Sequence, residues 1–539
     1  MNSSSYDTAS LAIKATEQLR AITVLEVALA LLGGYAFSIL SMHLGGPKVP
    51  LVGLRSIFES RYLANWRFFR NAGSVLNLGY GKFHNQAWKF ARADTDMLVL
   101  PSQYVEELRS LPSQVASPTV AHAFNLSGGH TNMNIILKNN LHFRTLQEKL
   151  TPNLSRLTRP MQDELNYACK IDLPECEDWV AIKPYYTILR LVSRISARIF
   201  LGLPYCRNEE WLEISTEFTE NVFVSLVVLR LFPRYLHGVL AWILPSTWIG
   251  ASYIRRAQKL LVPEIKKRQA ALAKKIESGN DDVSDDPNDN NLLNWMIQLG
   301  NNIETKPHDL AHLEVVMSLA SIHTSQMNAV HVLYDLAALP GYIENLREEI
   351  VQVIKEDGPW SKWDKNSFYK LKKLDSFMRE SQRFNPPSLL SYHRVILQDI
   401  VLKDGTLLPR GSHIAMPVNA IQNHPSVTPN PEVFDPLRYY NLRQRDGENH
   451  LHQFATTEPN ILNFGHGKHA CPGRFFASLE IKNILVRLLM DYDWKLPEGQ
   501  GRPENLKAHE FIFPNQKATL LMKARPKNLS VLVLGEGEA

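Results

Sequence analysis

One stretch close to the N-terminus limits what this chain can fold into. Residues 22–44 read ITVLEVALALLGGYAFSILSMHL and contain one carboxylate, Glu26, near the start. A helix rising about 1.5 Å per residue would carry this run across roughly 34 Å, enough for a hydrocarbon core of about 30 Å. The run is too long for the apolar part of a cleaved signal peptide, and no clear basic region precedes it. We therefore predict a transmembrane anchor; a helix buried in a soluble core is the alternative.

The charges around this run and the cysteine count favour a main body in the cytoplasm. Lys14 and Arg20 precede the run, and Lys48, Arg55 and Arg61 follow it, a weak asymmetry towards a cytoplasmic body. The chain has four cysteines at scattered positions, too few for a disulfide framework. We therefore expect the protein to lie in a reducing compartment. A functional role for a single cysteine is then more informative than disulfide pairing.

Length and composition indicate that the rest of the chain is globular. The 539 residues would allow three or four domains, although large enzymes with a single core depart from this rule. The chain is 45% hydrophobic and 21% charged, which excludes wholesale disorder. A net charge of +5 is too small over this length to indicate a nucleic-acid protein. We predict a short tail over residues 1–21, the anchor over 22–44 and a Pro/Gly hinge over 45–54. The family resemblance described below implies a single large domain over 55–539.

Periodicity predicts a mainly α body with small β-sheets. Helices are expected over residues 310–339 and 342–357. Short strands are expected over residues 96–101, 399–409 and 518–523. Helix therefore predominates, with small sheets towards each end of the body.

Two further segments stand apart by composition. Residues 277–291 are acidic and Asn-rich, which is typical of a solvated loop. Residues 222–244 are apolar but interrupted by Arg230, Pro233 and Arg234, and are too broken to cross a bilayer. A helix–loop–helix lying against the bilayer surface fits this second segment better.

The most informative segment surrounds the last cysteine, in FGHGKHACPGRFFA at residues 464–477. Gly465 and Gly467 permit a tight turn with positive φ, and Pro472 suits the first turn of a helix. Cys471 is then expected beside a helix N-terminus, whose N–H groups and dipole favour thiolate over thiol. A thiolate is an electron-rich axial ligand for haem iron.

Three other roles compete for Cys471. A lone cysteine is often a small buried hydrophobic residue. A nucleophilic cysteine needs a base, for which His466 and His469 are candidates. The same two histidines with Cys471 would also supply three zinc ligands, but two glycines and no second cysteine pair make a poor structural zinc loop.

The segment FGHGKHACPG resembles the haem-binding signature of the cytochrome P-450 superfamily, Phe-x-x-Gly-x-x-x-Cys-x-Gly. Phe464, Gly467, Cys471 and Gly473 occupy its four fixed positions. The resemblance implies the cytochrome P-450 fold, a haem b whose iron is ligated by Cys471, and cofactor contacts from Phe464 and Gly473. Where the family commonly has a propionate-binding Arg, this chain has His469, which hydrogen-bonds without a guaranteed charge.

A second landmark of the family lies upstream, in RESQRFNPP and FDPLRYY. Glu380 and Arg383 match its Glu-x-x-Arg pair, and Arg438 matches the third member of the same cluster. Alone, Glu and Arg three residues apart are usually a solvated helix pair. Together with Arg438 they resemble a buried carboxylate–guanidinium cluster that supports the cysteine loop. The implied role is structural and not catalytic.

Further cofactor contacts follow from the same resemblance. Arg394, which follows His393, occupies the place of a haem-propionate partner; an exposed arginine at a strand edge is the alternative. Gly465 of the cysteine loop is expected to contact the cofactor as well.

The family's Trp-x-x-x-Arg haem contact has no clear match in this chain. Counting back from LTPNL, Phe143 and Gln147 fall near its two places. Arg144 or Lys149 would then be the substitute cation.

The segment SLASIHTSQM at residues 318–327 resembles the family's oxygen-activating helix. Ala320 takes the first small position, and Thr324 takes the place of a threonine whose hydroxyl relays protons to dioxygen. A hydroxyl bonding back to its own helix is the alternative. Two departures stand out, because Ser321 replaces the second small residue and His323 replaces the acid. His323 either takes over proton delivery or points into packing.

The resemblance implies a membrane-bound haem-thiolate monooxygenase, which inserts one oxygen atom of O₂ into an apolar substrate and reduces the other to water. The sequence contains no dinucleotide-binding or P-loop fingerprint, so a partner must deliver electrons from NADPH. By resemblance this partner is NADPH–cytochrome P-450 reductase at the endoplasmic reticulum. Lys468 and Arg474 are candidate docking residues, although Arg474 is equally suited to bind haem or cap its helix.

Ala320, Leu389, Leu390 and Phe513 are expected to line an apolar substrate pocket. The helix and the cysteine loop are similar to those of fungal enzymes of secondary metabolism, including the ent-kaurene oxidase and indole-diterpene branches, which favours a terpenoid intermediate. Polyketide-derived and steroid-like substrates remain alternatives. A haem-thiolate isomerase or dehydratase and a non-catalytic haem protein are the rivals, but neither needs the hydroxyl of Thr324.

Overall fold

The computed structural model describes residues 4–44, 46–278 and 290–526, and most of these residues are helical. The helices are α1 (Ser4–Leu44), α2 (Arg61–Phe83), α3 (Val105–Leu108), α4 (Pro118–Asn125), α5 (Gly128–Thr131), α6 (Leu141–Thr145), α7 (Leu154–Asp172), α8 (Pro184–Phe200), α9 (Glu209–Leu229), α10 (His237–Ile243), α11 (Pro245–Glu277), α12 (Leu292–Leu299), α13 (Pro307–Ala338), α14 (Gly341–Asp357), α15 (Lys365–Lys370), α16 (Lys372–Phe384), α17 (Val418–Gln422), α18 (Arg438–Leu442) and α19 (Arg474–Asp491).

The strands are short, and six of the thirteen described strands join one mixed sheet. They are β1 (Leu51–Val52), β2 (Trp88–Ala91), β3 (Asp96–Val99), β4 (Ala116–Ser117), β5 (Val180–Ile182), β6 (Ser391–Ile396), β7 (Ile400–Val401), β8 (Leu407–Leu408), β9 (His413–Met416), β10 (Tyr492–Lys495), β11 (Leu506–Ala508), β12 (Phe511–Phe513) and β13 (Leu520–Ala524). The predicted mainly helical body with small sheets is confirmed. Most of the acidic tract predicted as a loop lies outside the described residues.

Polar side chains fix where several helices begin. Ser60, Ser117 and Asn208 each accept a hydrogen bond from a backbone N–H in the first turn of α2, α4 and α9. Asp364 accepts two such bonds at the start of α15. These oxygens satisfy N–H groups that a helix leaves free at its first turn.

The first helix carries its apolar surface outside the protein core. Thr23–His43 has a mean hydropathy of 1.8, and only 6% of this segment is buried. The alternative of a helix buried in a soluble core is therefore wrong. The helix already begins at Ser4, so the residues predicted as a tail continue it, and Leu51–Val52 of the predicted hinge forms β1.

The described residues form four sheets. The largest has the order β1-β2-β3-β9-β6-β4; β1–β2 and β3–β9 pair in parallel, and its other pairs are antiparallel. A three-stranded sheet has the order β10-β13-β5, and β7–β8 and β11–β12 are hairpins. The three predicted strand regions are confirmed as β3, the β7–β8 hairpin and β13. The large sheet matters for function because β6 carries Arg394.

The long helix α13 forms the centre of the fold. It packs against α8, α9, α11, α16 and α19, and almost all of its residues from Leu310 to Ala337 are buried. The predicted helices over residues 310–339 and 342–357 are confirmed as α13 and α14. Because α19 directly follows the cysteine loop, its packing on α13 brings the two motifs of the sequence together.

The second apolar segment forms a helix–loop–helix, as predicted. Helix α9 ends at Leu229 and α10 occupies His237–Ile243. The loop and α10 expose Tyr235, Val239 and Trp242, of which Tyr235 is 75% and Trp242 70% exposed. Large exposed side chains grouped in this way mark an interaction surface.

Candidate active site

Two glycines with positive φ shape the cysteine loop. Gly465 has φ 67° and Gly467 has φ 74°, a conformation that other residues rarely adopt. A Cβ on Gly467 would lie 2.7 Å from the Cβ of Arg109, so the loop also needs glycine for close approach. The backbone N–H of Cys471 donates to the carbonyl of Phe464 at 2.8 Å and closes the loop. Helix α19 starts two residues after Pro472, slightly later than predicted.

Cys471 has exposed surface, although the loop and the start of α19 enclose it. Burial raises the pKa of its thiol, whereas the N–H groups of Gly473 and Arg474 and the Arg474 guanidinium lower it. The N–H groups at the start of α19 thus favour thiolate, as expected, but burial of the sulfur opposes them and the net pKa is raised. A bound cation would add to the groups that favour thiolate.

The two histidines of the loop do not hydrogen-bond to Cys471. His466 Nδ1 lies 3.1 Å from Thr457 Oγ1, and His469 Nε2 lies 3.3 Å from Ser113 Oγ. Among the described residues no group of three His, Cys, Asp or Glu side chains is placed to hold a metal ion. The geometry therefore supports neither the nucleophile–base pair nor the zinc site.

The middle of α13 presents a small exposed face inside the protein. Between Leu310 and Ala337 only Ala320 and Thr324 are exposed, and they lie one helical turn apart. The Thr324 hydroxyl donates to the carbonyl of Ala320 at 2.9 Å and lies 3.2 Å from that of Ser321. Thr324 thus both bonds back to its helix and faces open space within the fold.

His323 points away from this face. It is 6% exposed, and its Nε2 lies 3.2 Å from the carbonyl of Thr216 on α9. Burial lowers the pKa of His323 to about 4, so the ring is neutral at physiological pH. Of the two roles left open by the sequence, this placement favours packing over proton delivery.

The Glu-x-x-Arg cluster has the predicted buried geometry. Glu380 is completely buried, and its two oxygens accept hydrogen bonds from Arg383 at 2.6 and 2.8 Å. Its Oε1 also accepts from Arg438 Nε at 3.2 Å and from the Asp435 N–H at 2.9 Å. Both arginines donate to the carbonyl of Val433, at 3.1 and 3.0 Å. The cluster ties α16 to the irregular segment that precedes α18.

Arg394 is the centre of a second charged cluster, next to the cysteine loop. It is buried on β6, lies 4.2 Å from the Tyr392 ring centre and donates to the carbonyl of His393. Among the described acidic residues none forms an ion pair with it, and burial lowers its pKa. Burial and the charge of Arg394 lower the pKa values of His122 and His469 to about 4. A buried guanidinium without a carboxylate fits an anionic ligand.

Two residues of this region were not predicted from the sequence. His122 lies on α4 and has exposed surface although it is inside the fold. His142 on α6 is largely buried, which lowers its pKa to about 4, and its Nδ1 has no hydrogen-bond partner among the described residues. No local pattern marks either histidine. His122 comes near Arg394 only because α4 packs on β6, and α6, which carries His142, reaches the loop through Phe143.

The place of the Trp-x-x-x-Arg contact is filled differently from the expectation. The Phe143 ring centre lies 6.5 Å from that of His469, so α6 does reach the cysteine loop. Arg144 instead donates to both oxygens of Glu304 at 2.9 Å, which leaves it unsuited to bind an anionic cofactor. Gln147 is exposed.

The predicted pocket residues divide into two groups. Leu389 and Leu390 are buried in an apolar cluster that includes Ile512, and present little surface to any cavity. Phe513 is half-buried, and its ring centre lies 6.1 Å from that of Phe223 on α9. Together with Ala320, the aromatic pair supplies apolar surface on three different elements.

Arg474 and Lys468 have different surroundings. The Arg474 guanidinium donates to the carbonyl of Cys471 at 2.8 Å and stacks 4.4 Å from the Phe475 ring centre. Arg474 therefore braces the loop, a role that the sequence analysis did not include among its alternatives. Lys468 is exposed and remains the better candidate for docking a partner.

The residues around the cysteine loop fit the haem that the sequence resemblance implies. Cys471 offers a sulfur with open surface, and a Cβ built on Gly473 would meet nothing within 4 Å. Arg474 Nε, at the start of α19, is buried and has no hydrogen-bond partner among the described residues. Arg394 supplies a positive charge that no described carboxylate neutralises. A flat group with an iron centre and two acidic substituents satisfies all of these features.

Comparison with known proteins agrees with this geometry. The family model described as Cytochrome P450 matches residues 82–522. "Cytochrome P450 monooxygenase AN1598" of Emericella nidulans is 47% identical over 479 residues, covering 89% of this chain and 88% of that protein. "Cytochrome P450 monooxygenase paxP" of Penicillium paxilli is 40% identical, covering 89% and 90%. "Ent-kaurene oxidase" of Fusarium fujikuroi is 36% identical, covering 89% and 88%.

Proposed function

Since the chain belongs to the cytochrome P450 family and is a monooxygenase that uses haem b, we propose that it oxidises an apolar terpenoid-type intermediate while anchored in a membrane. The observation that carries the proposal is the pairing of Cys471, on the loop before α19, with the Ala320 and Thr324 face of α13. Helix α19, which follows the cysteine loop, packs on α13, and Cys471, Ala320 and Thr324 each keep exposed surface.

Each residue of the site has a proposed part in holding the cofactor. The haem, when bound, supplies the iron at which O₂ is reduced. Cys471 ligates that iron, while Phe464, Gly465 and Gly473 contact the ring. Arg394 and His469 hold the propionates, since both lie beside the loop and no described acid competes for Arg394. The neutral His469 contributes a hydrogen bond rather than a charge.

The hydroxyl of Thr324 is proposed to hold and pass protons at the exposed face of α13. Its oxygen keeps a lone pair free while its proton goes to the Ala320 carbonyl. His323 contacts α9 instead, so the proton source lies elsewhere. The Glu380, Arg383 and Arg438 cluster is proposed to act only by supporting the loop.

Two observations support a terpenoid-type substrate. Phe223, Phe511 and Phe513 form an aromatic cluster with ring centres 5.6 to 6.1 Å apart, which suits a bulky hydrocarbon lacking polar groups. The second is the name of the Fusarium fujikuroi relative, an oxidase of ent-kaurene, which is a diterpene hydrocarbon. Polyketide-derived and steroid-like compounds are the competing classes.

A substrate panel tests this choice. Membranes containing the protein and a P450 reductase are given NADPH and either ent-kaurene, an indole diterpene, an aromatic polyketide or a sterol, and products are analysed by mass spectrometry. We expect oxygenated products from a terpenoid. Turnover confined to the polyketide or sterol would contradict the substrate proposal and leave the monooxygenase assignment intact. Cys471→Ala membranes are the control for background oxidation.

Membrane attachment is proposed from two exposed apolar surfaces. Thr23–His43 is suited to cross the bilayer, and the group around Tyr235, Val239 and Trp242 is suited to enter its surface. We infer an endoplasmic reticulum location with the body facing the cytoplasm. Carbonate-washed membranes should retain the full chain, and protease added outside sealed microsomes should digest the body. Protection of the body would contradict this orientation.

The electron donor is proposed to be an NADPH–cytochrome P450 reductase that contacts Lys468. Charge reversal at an exposed docking lysine weakens association with an acidic partner in a salt-dependent way. Lys468→Glu should therefore raise the reductase concentration needed for half-maximal NADPH oxidation. Lys274→Glu, at an exposed position on α11, is the matched control. Equal responses of the two variants would remove Lys468 from the docking surface.

A further inference from the structure

An open cleft of about 580 Å³, which Arg438 lines, adjoins the Glu380 cluster. Its walls come from α16, α18, residues 426–429 and the turn at residues 458–461. Sites for small organic molecules usually have volumes of about 300–1,000 Å³. None of the residues assigned above to haem, dioxygen or substrate lines this cleft, so the proposed monooxygenase reaction leaves it without a role.

Much of the cleft wall is apolar. Tyr439 and Ile461 are buried and Leu442 is half-buried, whereas two prolines, Pro429 and Pro459, are exposed. Apolar surface that surrounds a small number of polar groups is typical of sites for organic ligands. The cleft therefore suits a compound with an apolar body better than it suits an inorganic ion.

The lining of the cleft carries an excess of positive charge, because it includes three arginines and two carboxylates. Arg379 Nη2 lies 2.7 Å from Glu458 Oε1, and Arg438 Nε lies 3.2 Å from Glu380 Oε1. The third arginine, Arg445, is exposed and forms no ion pair with any residue that the structure describes. A guanidinium group binds carboxylates and phosphates through paired hydrogen bonds. Arg445 is therefore free to hold an acidic group.

Neither carboxylate of the cleft forms an ion pair with Arg445. Glu458 is paired with Arg379, and its Oε1 lies 3.3 Å from His452 Nδ1. Burial alone would raise the pKa of Glu458, but Arg379 and His452 lower it by more. Asp435 Oδ1 accepts a hydrogen bond from the backbone N–H of Leu437 at 3.0 Å. The cleft therefore keeps one positive charge for a ligand.

A buried donor in the cleft wall also lacks a partner. Arg379 is 2% exposed, its Nη1 donates to the carbonyl of Gln453 at 2.9 Å, and its Nη2 donates to Glu458. The Nε of Arg379 has no hydrogen-bond partner among the described residues. Buried donors are rarely left unsatisfied, and an ordered water or a bound ion commonly completes such a site. This observation does not depend on Arg445 and indicates a ligand at the same cleft.

The cleft contacts two supports of the cysteine loop. Arg438 lines it and also donates to Glu380. Thr457 precedes Glu458 of the cleft wall, and its Oγ1 lies 3.1 Å from Nδ1 of His466 in the loop. A ligand that orders the cleft wall therefore also orders residues that hold the loop.

We propose that this cleft binds an organic anion and that binding stabilises the cysteine loop. The acidic group of the ligand lies at Arg445, and its apolar body lies against Tyr439 and Ile461. A carboxylate and a phosphate satisfy the same guanidinium, so both head groups are included. A ligand that binds only the folded state shifts the unfolding equilibrium about 100-fold when its concentration is 100 times its Kd. The ligand is thus an effector of stability and not a substrate.

The first test measures binding to the haem-loaded full chain in lipid nanodiscs by isothermal titration calorimetry. Phenyl phosphate and benzoate each combine an apolar ring with an acidic group, whereas inorganic phosphate and benzyl alcohol each offer only one of these parts. We expect phenyl phosphate or benzoate to bind at least about tenfold more tightly than both of the latter, and the tighter of the two identifies the preferred head group. Equal binding of phenyl phosphate and inorganic phosphate, or no binding of either aromatic acid, would overturn the proposal.

Three variants locate the site. Arg445→Ala removes the exposed guanidinium and should weaken binding of the preferred probe by about tenfold or more. Leu442→Trp fills the cleft and should abolish binding while the haem spectrum stays unchanged. Arg255→Ala is the matched control, because Arg255 is exposed on α11, which does not line the cleft. Equal affinities of Arg445→Ala and Arg255→Ala would contradict the assignment of the cleft.

Transfer of haem to apomyoglobin tests the effect on the loop. A saturating concentration of the preferred probe should slow haem transfer from the unaltered protein severalfold and leave transfer from Arg445→Ala unchanged. Equal transfer rates of the unaltered protein with and without bound probe would contradict the link to the cysteine loop. None of these measurements requires turnover, so a failure of the substrate proposal would not alter their outcome.

Discussion

Removal of Arg383 tests how much of the fold depends on the buried cluster behind the cysteine loop. Arg383→Ala deletes two charge-assisted hydrogen bonds to Glu380, at 2.6 and 2.8 Å, and leaves that fully buried carboxylate with Arg438 as its nearest cation. Breaking a buried pair by removing one partner costs about 3–5 kcal/mol. Two charge-assisted bonds at about 1.5–3 kcal/mol each give about 3–6 kcal/mol, which agrees with this range.

The chain offers a control with the same spacing. Glu106 and Arg109 form an i,i+3 pair at 2.7 Å, but their side chains are 55% and 46% exposed. An exposed pair of this kind contributes about 1 kcal/mol at most, so Arg109→Ala should change the free energy of unfolding little. Denaturant unfolding of the two variants, with haem absorbance and circular dichroism as probes, measures the difference.

A double variant distinguishes two causes of the stability lost in Arg383→Ala, an unpaired buried charge and a simple loss of contacts. If the cost comes from an unpaired buried charge, adding Glu380→Gln to Arg383→Ala should recover part of the lost stability, because an amide needs no counter-charge. Equal losses in Arg383→Ala and Arg109→Ala, or a double variant less stable than Arg383→Ala alone, would refute the reasoning.

Three further predictions concern α13. The pKa of His323 is about 4 in the fold against an ordinary 6.5, so its contribution to stability is complete above pH 6.5 and lost as the pH falls through 4. His323→Gln should therefore reduce the acid-induced loss of unfolding free energy by up to about 3 kcal/mol, measured between pH 7.5 and 4; an unchanged loss would contradict its buried neutral state. Thr324→Ala should divert electrons from product to peroxide with little change in the haem spectrum, and unchanged coupling would remove Thr324 from proton handling. Ala320→Leu places bulk on the exposed face and should weaken substrate-induced spectral shifts while leaving stability nearly unchanged, whereas intact binding would place the substrate elsewhere.

Local patterns in the sequence predicted those parts of the candidate site that are built from neighbouring residues. The turn of the cysteine loop has positive φ at Gly465 and Gly467, and the two glycines in the sequence indicate such a turn. The orientation of His323 was left open by the sequence. Helix geometry places it about 100° around the helix from Thr324, but its contact with α9 is visible only in the structure.

Other features depend on chain segments that meet only in the folded protein. His122 and Arg394 come from different elements of the large sheet region, and nothing near either residue in sequence indicates their common cluster. The burial that raises the pKa of the Cys471 thiol depends on the surrounding fold, whereas the N–H groups that lower this pKa belong to a local feature, the helix N-terminus.

The absorption spectrum of the dithionite-reduced, CO-bound protein tests the ligand role of Cys471 most directly. We expect a strongly red-shifted Soret band, typical of thiolate-ligated ferrous haem, in the unaltered protein and in Cys206→Ala, which removes a buried cysteine elsewhere. Cys471→Ala should lack this band. A red-shifted band that persists in Cys471→Ala, or well-folded protein that binds no haem, would contradict the assignment of Cys471 as the axial ligand.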